Sequence, residues 1–269
     1  MARLRLFLLA LAMALSLPVT AGAPVFDREH AAWTALLKKH VHWNADKTAT
    51  SVDYDGFQRD RQLLDVYLAN LASITLSQYQ SWLRPDREAF LINAYNAATV
   101  RLILTKYPNL TSIKDLGGLF SSPWKSSFVV LLGQTRSLDD VEHGLLRGAP
   151  EDRDPRSHFA VNCASLGCPA LRDEAYVGDR LDAQLDDQAR RFLRDRTRNR
   201  FDRGTRRMLV SRIFDWYGAD FDRAGGVGGF LAGSPDALGM TPAEATDLHA
   251  GRIGIDYLPY DWSLNRRRP

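Results

Sequence analysis

The segment from about Glu88 to Leu104, which contains FLINAYNAATVRLIL, constrains the fold more than any other part of the chain. It follows Pro85-Asp-Arg-Glu, a proline and acids placed as a helical first turn requires. Projected at about 100° per residue, its large apolar groups point in every direction: Phe90, Leu91, Ile92, Tyr95, Val100, Leu102, Ile103 and Leu104. A helix apolar all round must be covered all round, so the rest of the chain has to wrap it. Asn93 and Asn96 are three apart and share one face of that helix. Buried amides need partners for their donors and acceptors. They either tie the helix to a loop or line a pocket.

The chain has enough material for such a wrapping. It is 269 residues long and 45% hydrophobic, ordinary for a globular protein and too apolar for a disordered one. Val25 to Leu83 reads as helical, with a turn at Asp53-Tyr-Asp-Gly opening a helix over Phe57 to Ala69 and a short one beginning at Thr75. Phe128 to Leu138 reads as a β-hairpin around Gly133, and Ser137 is placed to cap the helix that follows. His158 to Asn162 is expected as a buried strand, Tyr176 to Leu193 as a helix and Met208 to Phe214 as a late strand. Gly225 to Gly239, with six glycines, is expected as a mobile loop. Gly254 to Trp262 reads as extended, with Pro259 arguing for a sheet edge. The expected fold class is therefore α+β: a mostly helical single domain with a buried central helix and a small, mainly antiparallel sheet. Residues 24–84 are expected to form a helical segment packed on a main domain of residues 85–269.

The first 23 residues stand apart. Arg3 and Arg5 precede a charge-free run from Leu6 to Leu17, followed by Pro18 and Ala21-Gly22-Ala23. That is the pattern of a secretory signal peptide, too short to span a bilayer, which needs about 20 apolar residues. Cleavage after Ala23 leaves 246 residues and, with Arg3 and Arg5 gone, takes the net charge from +3 to about +1. An exported, periplasmic or secreted protein without a membrane span is expected. So weak a charge argues against nucleic acid as a partner. Arg190 to Arg207, with nine Arg and interspersed Asp195 and Asp202, reads as a solvated helix end and turn, and Arg266 to Pro269 as a frayed tail.

Two stretches carry chemistry. In LDDVEHGLLR, Leu138 to Arg147, Glu142 falls inside the apolar stripe and His143 off it. A carboxylate on a core-facing stripe must be paired, for example with Arg101 or Arg156, or serve a site. The denser stretch is Ser157 to Leu171, SHFAVNCASLGCPAL, with His158, Asn162, Cys163, Ser165 and Cys168 within eleven residues. A strand over 158–162 puts His158 and Asn162 on one face. Pro169 suits the first position of a short helix, which would place the Cys168 thiol at a helix N-terminus and favour its thiolate. A thiol, an imidazole and an amide or carboxylate are the parts of a cysteine nucleophile site. The same two cysteines, the only ones in the chain, can instead close a six-residue disulfide loop, which export permits. Metal binding through His158, Cys163 and Cys168 is disfavoured, because the spacing matches no standard zinc pattern and is not C-x-x-C.

Taken together, INAYN, SPWK, LDDVEHGLLR, DPRSHFAVNCASLGCPAL and PYDWSLN, in that order, resemble the domain of unknown function 547 family. The resemblance runs from about Asp86 to Tyr176 and again over Tyr257 to Asn265, matching at Asn93, Asn96, Glu142, His143, His158, Cys163 and Cys168. It implies no activity. The resemblance also implies a distant papain- or transglutaminase-like core, although those folds set the nucleophilic Cys at the start of a buried helix ahead of the His. Here the buried helix carries Asn93 and Asn96, and both thiols follow His158.

Two functions are therefore expected in competition. One is a thiol-dependent hydrolase or acyl transferase acting on an amide or ester, with Cys168 or Cys163 as nucleophile, His158 as base, Glu142, His143 or Asn162 assisting, and Asn93, Asn96 and Ser165 as pocket candidates. The other is a non-catalytic envelope binding module with a Cys163–Cys168 disulfide. Neither calls for a cofactor or a metal, and the partner is a small-molecule, peptide or envelope ligand.

Overall fold

The computed structural model describes residues 26–118, 122–148 and 153–267, so the signal peptide expected over residues 1–23 lies outside the described residues, as do Arg268 and Pro269. The first helices are α1 (Ala31–His40), α2 (Tyr54–Arg59), α3 (Arg61–Ala72) and α4 (Leu76–Gln80), and all precede α5 (Arg84–Ile103). Thirteen residues of α5 are buried, an unbroken run from Ala89 to Val100 plus Ile103, which is the wrapped helix the sequence demands. Around it lies an apolar cluster that runs from Trp33 and Phe57 through Tyr67 and Phe90 to Leu264. Residues 26–84 thus share one core with α5. The single helix expected over 57–69 is two, α2 and α3. They break at Asp60, whose Oδ2 accepts from Lys39 Nζ at 2.6 Å and from His40 Nε2 at 2.7 Å.

Strands β1 (Val41–Trp43) and β2 (Thr50–Val52) form one antiparallel pair, and β3 (Val129–Leu131) with β4 (Gln134–Arg136) another. The second is the expected hairpin. Its turn is Leu132-Gly133 with φ of 54° and 75°, the left-handed pair that a two-residue hairpin turn requires. The next helix forms where expected but is wound differently: Asp140–Leu146 is a π-helix, closed by Arg147 N–H donating to Glu142 O at 2.9 Å. Ser137 and Asp140 cap each other, Ser137 N–H on Asp140 Oδ2 and Asp140 N–H on Ser137 Oγ.

The strand expected over 158–162 is absent. Pro155–Phe159 is instead a 3₁₀ helix, because the Asp154 side chain accepts from Arg156 N–H and its carbonyl accepts from Ser157 Oγ. Beyond it come α6 (Leu181–Arg194), β5 (Arg200–Asp202), β6 (Arg207–Val210) and α7 (Ile213–Trp216). Then follow a 3₁₀ helix over Gly218–Ala224, α8 (Gly226–Ala232), α9 (Pro235–Leu238), α10 (Pro242–His249) and β7 (Gly254–Tyr257). The glycine-rich stretch expected as a loop is thus mostly helical. A Cβ on Gly229 would lie 2.1 Å from Ala224 O, so glycine there permits close packing and not mobility. In the three-stranded sheet β6 pairs antiparallel with β5 and parallel with β7, so β5 and β7 are both edge strands. A second apolar cluster, Phe159, Phe192, Phe214 and Phe221 among its members, packs around this half.

The architecture is a mostly helical α+β single domain, with three small sheets among the described residues. No described helix is long and apolar enough to cross a membrane. The C-terminal residues up to 267 are pinned, not frayed: Arg266 bridges to Val52, and Arg267 N–H donates to Val52 O at 2.8 Å.

Candidate functional site

A cleft of about 200 Å³ opens where the two apolar clusters meet. Tyr95 comes to it from α5, Trp124 from a 3₁₀ turn, Glu142 and His143 from the π-helix, His158 from the 3₁₀ helix, and Trp216 and Tyr217 from the end of α7. Tyr260 and Trp262 come from the C-terminal segment, and Cys163 and Cys168 complete the floor. The aromatic wall is continuous. Tyr260 and Trp262 have ring centroids 4.5 Å apart, Trp216 stacks on Trp262 at 5.7 Å, and Trp124 meets Trp262 edge-on at 5.7 Å.

The two cysteines are bonded to each other, the disulfide of the two expectations for this pair. Among the described residues there is no free thiol. The loop they close is clamped to the C-terminal segment. Leu166 N–H donates to Ser263 O and Gly167 N–H to Asp261 O, both at 2.8 Å, and Asn265 N–H donates to Ala164 O at 3.1 Å. Gly167 is where the ring of Tyr260 lies on the loop, since a Cβ there would be 2.9 Å from Cε1 and Cζ. These contacts bring the separated motifs CASLGCPAL and PYDWSLN together in space. No helix begins at Pro169, so Cys168 does not stand at a helix N-terminus as expected. Its sulfur accepts from Cys163 N–H at 2.9 Å and from the Tyr260 hydroxyl at 3.2 Å, and the Ser165 hydroxyl is 3.4 Å away. Burial pushes the Tyr260 phenol up to about 12, so the hydroxyl keeps its proton as a donor. Arg198, expected among solvated arginines, is 8% exposed and donates through Nη1 to the Cys168 carbonyl, with Asp195 as its counter-ion.

Glu142 is 6% exposed and carries no arginine partner of the kind expected. Arg101 is taken by Asp65, and Arg156 by Asp154, Asp182 and Asp186. The Tyr217 hydroxyl donates to Glu142 Oε1 at 2.7 Å instead. Burial, and then the Glu142 charge, hold the Tyr217 and Tyr95 phenols far above their ordinary range, so both stay neutral donors. His158 is buried, stacked on Tyr217 at 4.0 Å, and its Nε2 donates to Asp220 Oδ2 at 2.7 Å. In the neutral ring that leaves Nδ1 with the lone pair. Asp220 also receives Arg147 through two nitrogens, at 2.7 and 2.9 Å, and Arg153 at 3.0 Å. Burial pushes its carboxyl up, but the bonds from His158 and Arg147 outweigh that and hold it well below the usual carboxylate range. Arg147 further donates to His143 Nδ1 at 3.0 Å, and burial raises the nearby Asp139.

The other expected residues lie elsewhere. Asn93 donates to Tyr176 O at 2.7 Å and accepts from Tyr176 N–H at 3.0 Å. Asn96 likewise donates to Ala160 O at 2.9 Å and accepts from Asn162 N–H at 2.8 Å. Asn162 is spent on Pro169 O and Ala164 N–H. None of the three lines the cleft, and Ser165 reaches it only through the sulfurs and Tyr260. The residues that sequence reasoning missed are Asp220, Tyr217, Tyr260, Trp216 and Trp262 (all from the C-terminal half), together with Tyr95, Trp124 and Arg147. An acid embedded in the aromatic run IFDWYGADFD was the available signal for Asp220. Among the described residues no three His, Cys, Asp or Glu side chains gather as a metal set.

Residues 79–193 match the family model described as protein of unknown function, DUF547. The chain therefore resembles that family over the stretch holding α5, the π-helix, His158 and the disulfide. No curated protein and no solved structure matches it.

Proposed function

We propose that the protein is a cell-envelope binding module whose cleft takes a ligand bearing a cationic amine, such as a lysine-like side chain of a peptide. The observation that carries this reading is the lining: tryptophan and tyrosine faces around Glu142 and Asp139, with no Lys or Arg among the lining residues. Electron-rich ring faces attract organic cations. Two of these rings already hold a cation, Lys114 Nζ at 3.9 Å from the Trp262 centroid and the Arg147 guanidinium at 5.3 Å from Tyr217. Glu142, fixed by Tyr217 and mostly desolvated, supplies a directed counter-charge. The leader pattern of residues 1–23 and the oxidised cysteine pair support export to the periplasm or beyond.

The test is a titration followed by tryptophan fluorescence, since Trp124, Trp216 and Trp262 ring the cleft. N-acetyl-lysine amide is expected to change the emission saturably, and its side-chain-acetylated analogue, which lacks the charge, is not. Equal responses to both would remove the cation from the reading.

A second reading is thiol-dependent hydrolysis or acyl transfer by Cys168 with His158 as base. It is favoured by one feature, the His158–Asp220 pair lining the same cleft as the sulfurs. It requires the disulfide to be opened first. Labelling of Cys168 by iodoacetamide in the folded, mildly reduced protein supports it, and failure to label either cysteine removes it.

A further inference from the structure

The disulfide lies at the floor of a cleft, and its two sulfurs are placed unequally. Cys168 is 4% exposed, whereas Cys163 is half-buried. Cys168 Sγ accepts from the Cys163 backbone N–H at 2.9 Å, whereas the Tyr260 hydroxyl is 3.2 Å from each sulfur and the Ser165 hydroxyl 3.3 and 3.4 Å from Cys163 and Cys168. A bonded sulfur is a weak acceptor, and a thiolate is a strong one, so the Cys163 N–H, which is aimed at Cys168 Sγ, gains most when the bond opens with the negative charge on Cys168, and the Tyr260 hydroxyl is within reach of that charge. The loop does not depend on the bond for its shape. Backbone bonds from Leu166, Gly167 and Asn265 and the side chain of Asn162 hold it independently. A six-residue disulfide loop also adds little chain-entropy stabilisation compared with a long one.

We propose that Cys163–Cys168 is an exchangeable disulfide, attacked at Cys163 Sγ by the cysteine thiolate of a peptide, with Cys168 leaving as a thiolate held by Cys163 N–H and Tyr260. The first step forms a peptide S–S bond to Cys163 and breaks the Cys163–Cys168 bond, its electron pair going to Cys168 Sγ. A second peptide thiolate then attacks the peptide sulfur of the mixed disulfide and releases Cys163. Two peptide thiols are oxidised to one peptide disulfide, the protein disulfide is reduced to two thiols, and the two protons pass from the peptide thiols to the protein thiols. This inference rests on the sulfurs and not on the amine-binding reading. Its readout is the site of covalent attachment and the rate of reduction, not amine-dependent fluorescence, so each can fail alone.

The test uses oxidised full-length protein and reduced glutathione, with acid quenching, digestion and mass mapping of the mixed disulfide. Glutathione is expected on Cys163 and not on Cys168. Tyr260→Phe, which keeps the ring, is expected to slow native-state reduction about tenfold, the worth of one hydrogen bond to a charged sulfur. In Cys163→Ser, the midpoint of the alkylation rate of Cys168 against pH is expected below the ordinary thiol value of about 8.5. Attachment at Cys168, or reduction only under denaturing conditions, overturns the proposal. So does a folded Tyr260→Phe protein reduced at the wild-type rate. The mapping on wild-type protein decides the direction of attack even if the variant does not fold.

Discussion

The core around α5 and the floor of the cleft both bury polar groups, and they satisfy them in opposite ways. Around α5, each buried amide meets the peptide backbone of one neighbouring residue or two: Asn93 is paired with both backbone groups of Tyr176, and Asn96 bridges Ala160 and Asn162. His30 departs from that pattern, with a side-chain partner, the Tyr67 hydroxyl 2.7 Å from its Nδ1, and Phe26 and Phe90 closing it off from solvent. In the cleft the partners are side chains that carry or could carry charge. Glu142 is met by Tyr217, and His158 by an Asp220 shared with two arginines. Backbone partners are fixed by the fold, so the first arrangement serves stability. Side-chain partners around an open cavity keep charge and hydrogen-bonding capacity available, which is what the proposed binding function requires.

The comparison breaks first at Asp220. Replacing it with Ala leaves Arg147 and Arg153 facing a buried, empty site, and a loss of about 4 kcal/mol in denaturant unfolding is expected. A variant as stable as wild type would mean that the arginines find water and the network is not a buried one. Asn96→Ala removes one donor and one acceptor and strands two backbone groups, with an expected loss of about 3 kcal/mol. Ligand affinity measured on its folded fraction is expected to stay unchanged.

The third effect is a pH dependence that belongs to the α5 region. Burial, only partly offset by Asp27, lowers His30 to about 4. The unfolded chain, with an ordinary His value of about 6.5, therefore takes up a proton that the folded chain refuses, so stability is full above that value and falls as pH drops from it toward the folded value. Between pH 7.5 and 5 the loss is about 2 kcal/mol, and His30→Asn is expected to abolish it. Asp220 has the opposite origin and a separate window. Its folded value is depressed, so its contribution is complete above the ordinary carboxylate value of about 3.9 and is lost only as pH falls below it. Melting followed from pH 7.5 to 3 separates the two steps.

What was legible in the sequence is what local pattern determines. The all-apolar α5, the Gly133 hairpin, the inward-facing Glu142 and the cysteine pair as one of two alternatives follow from spacing alone. The 158–162 strand failed because alternation of apolar residues over five positions cannot outweigh an Asp-Pro start whose carboxylate and carbonyl hold a 3₁₀ turn. The Gly225–Gly239 loop failed because glycine there serves helix close packing. The partners of the candidate residues were illegible for a different reason. Asp220 lies 62 residues from His158, Tyr217 lies 75 from Glu142, and Tyr260 lies 92 from Cys168, distances that only the tertiary fold closes.

The most direct measurement is the N-acetyl-lysine amide titration repeated on Glu142→Gln and Asn96→Ala side by side. Glu142→Gln keeps an oxygen to accept from Tyr217 and removes only the charge, so its affinity is predicted to fall about tenfold, the order of one desolvated cation contact. Asn96→Ala is predicted to bind as wild type does despite its lower melting point. Unchanged affinity in Glu142→Gln together with lost affinity in folded Asn96→Ala would contradict the division drawn between the two regions.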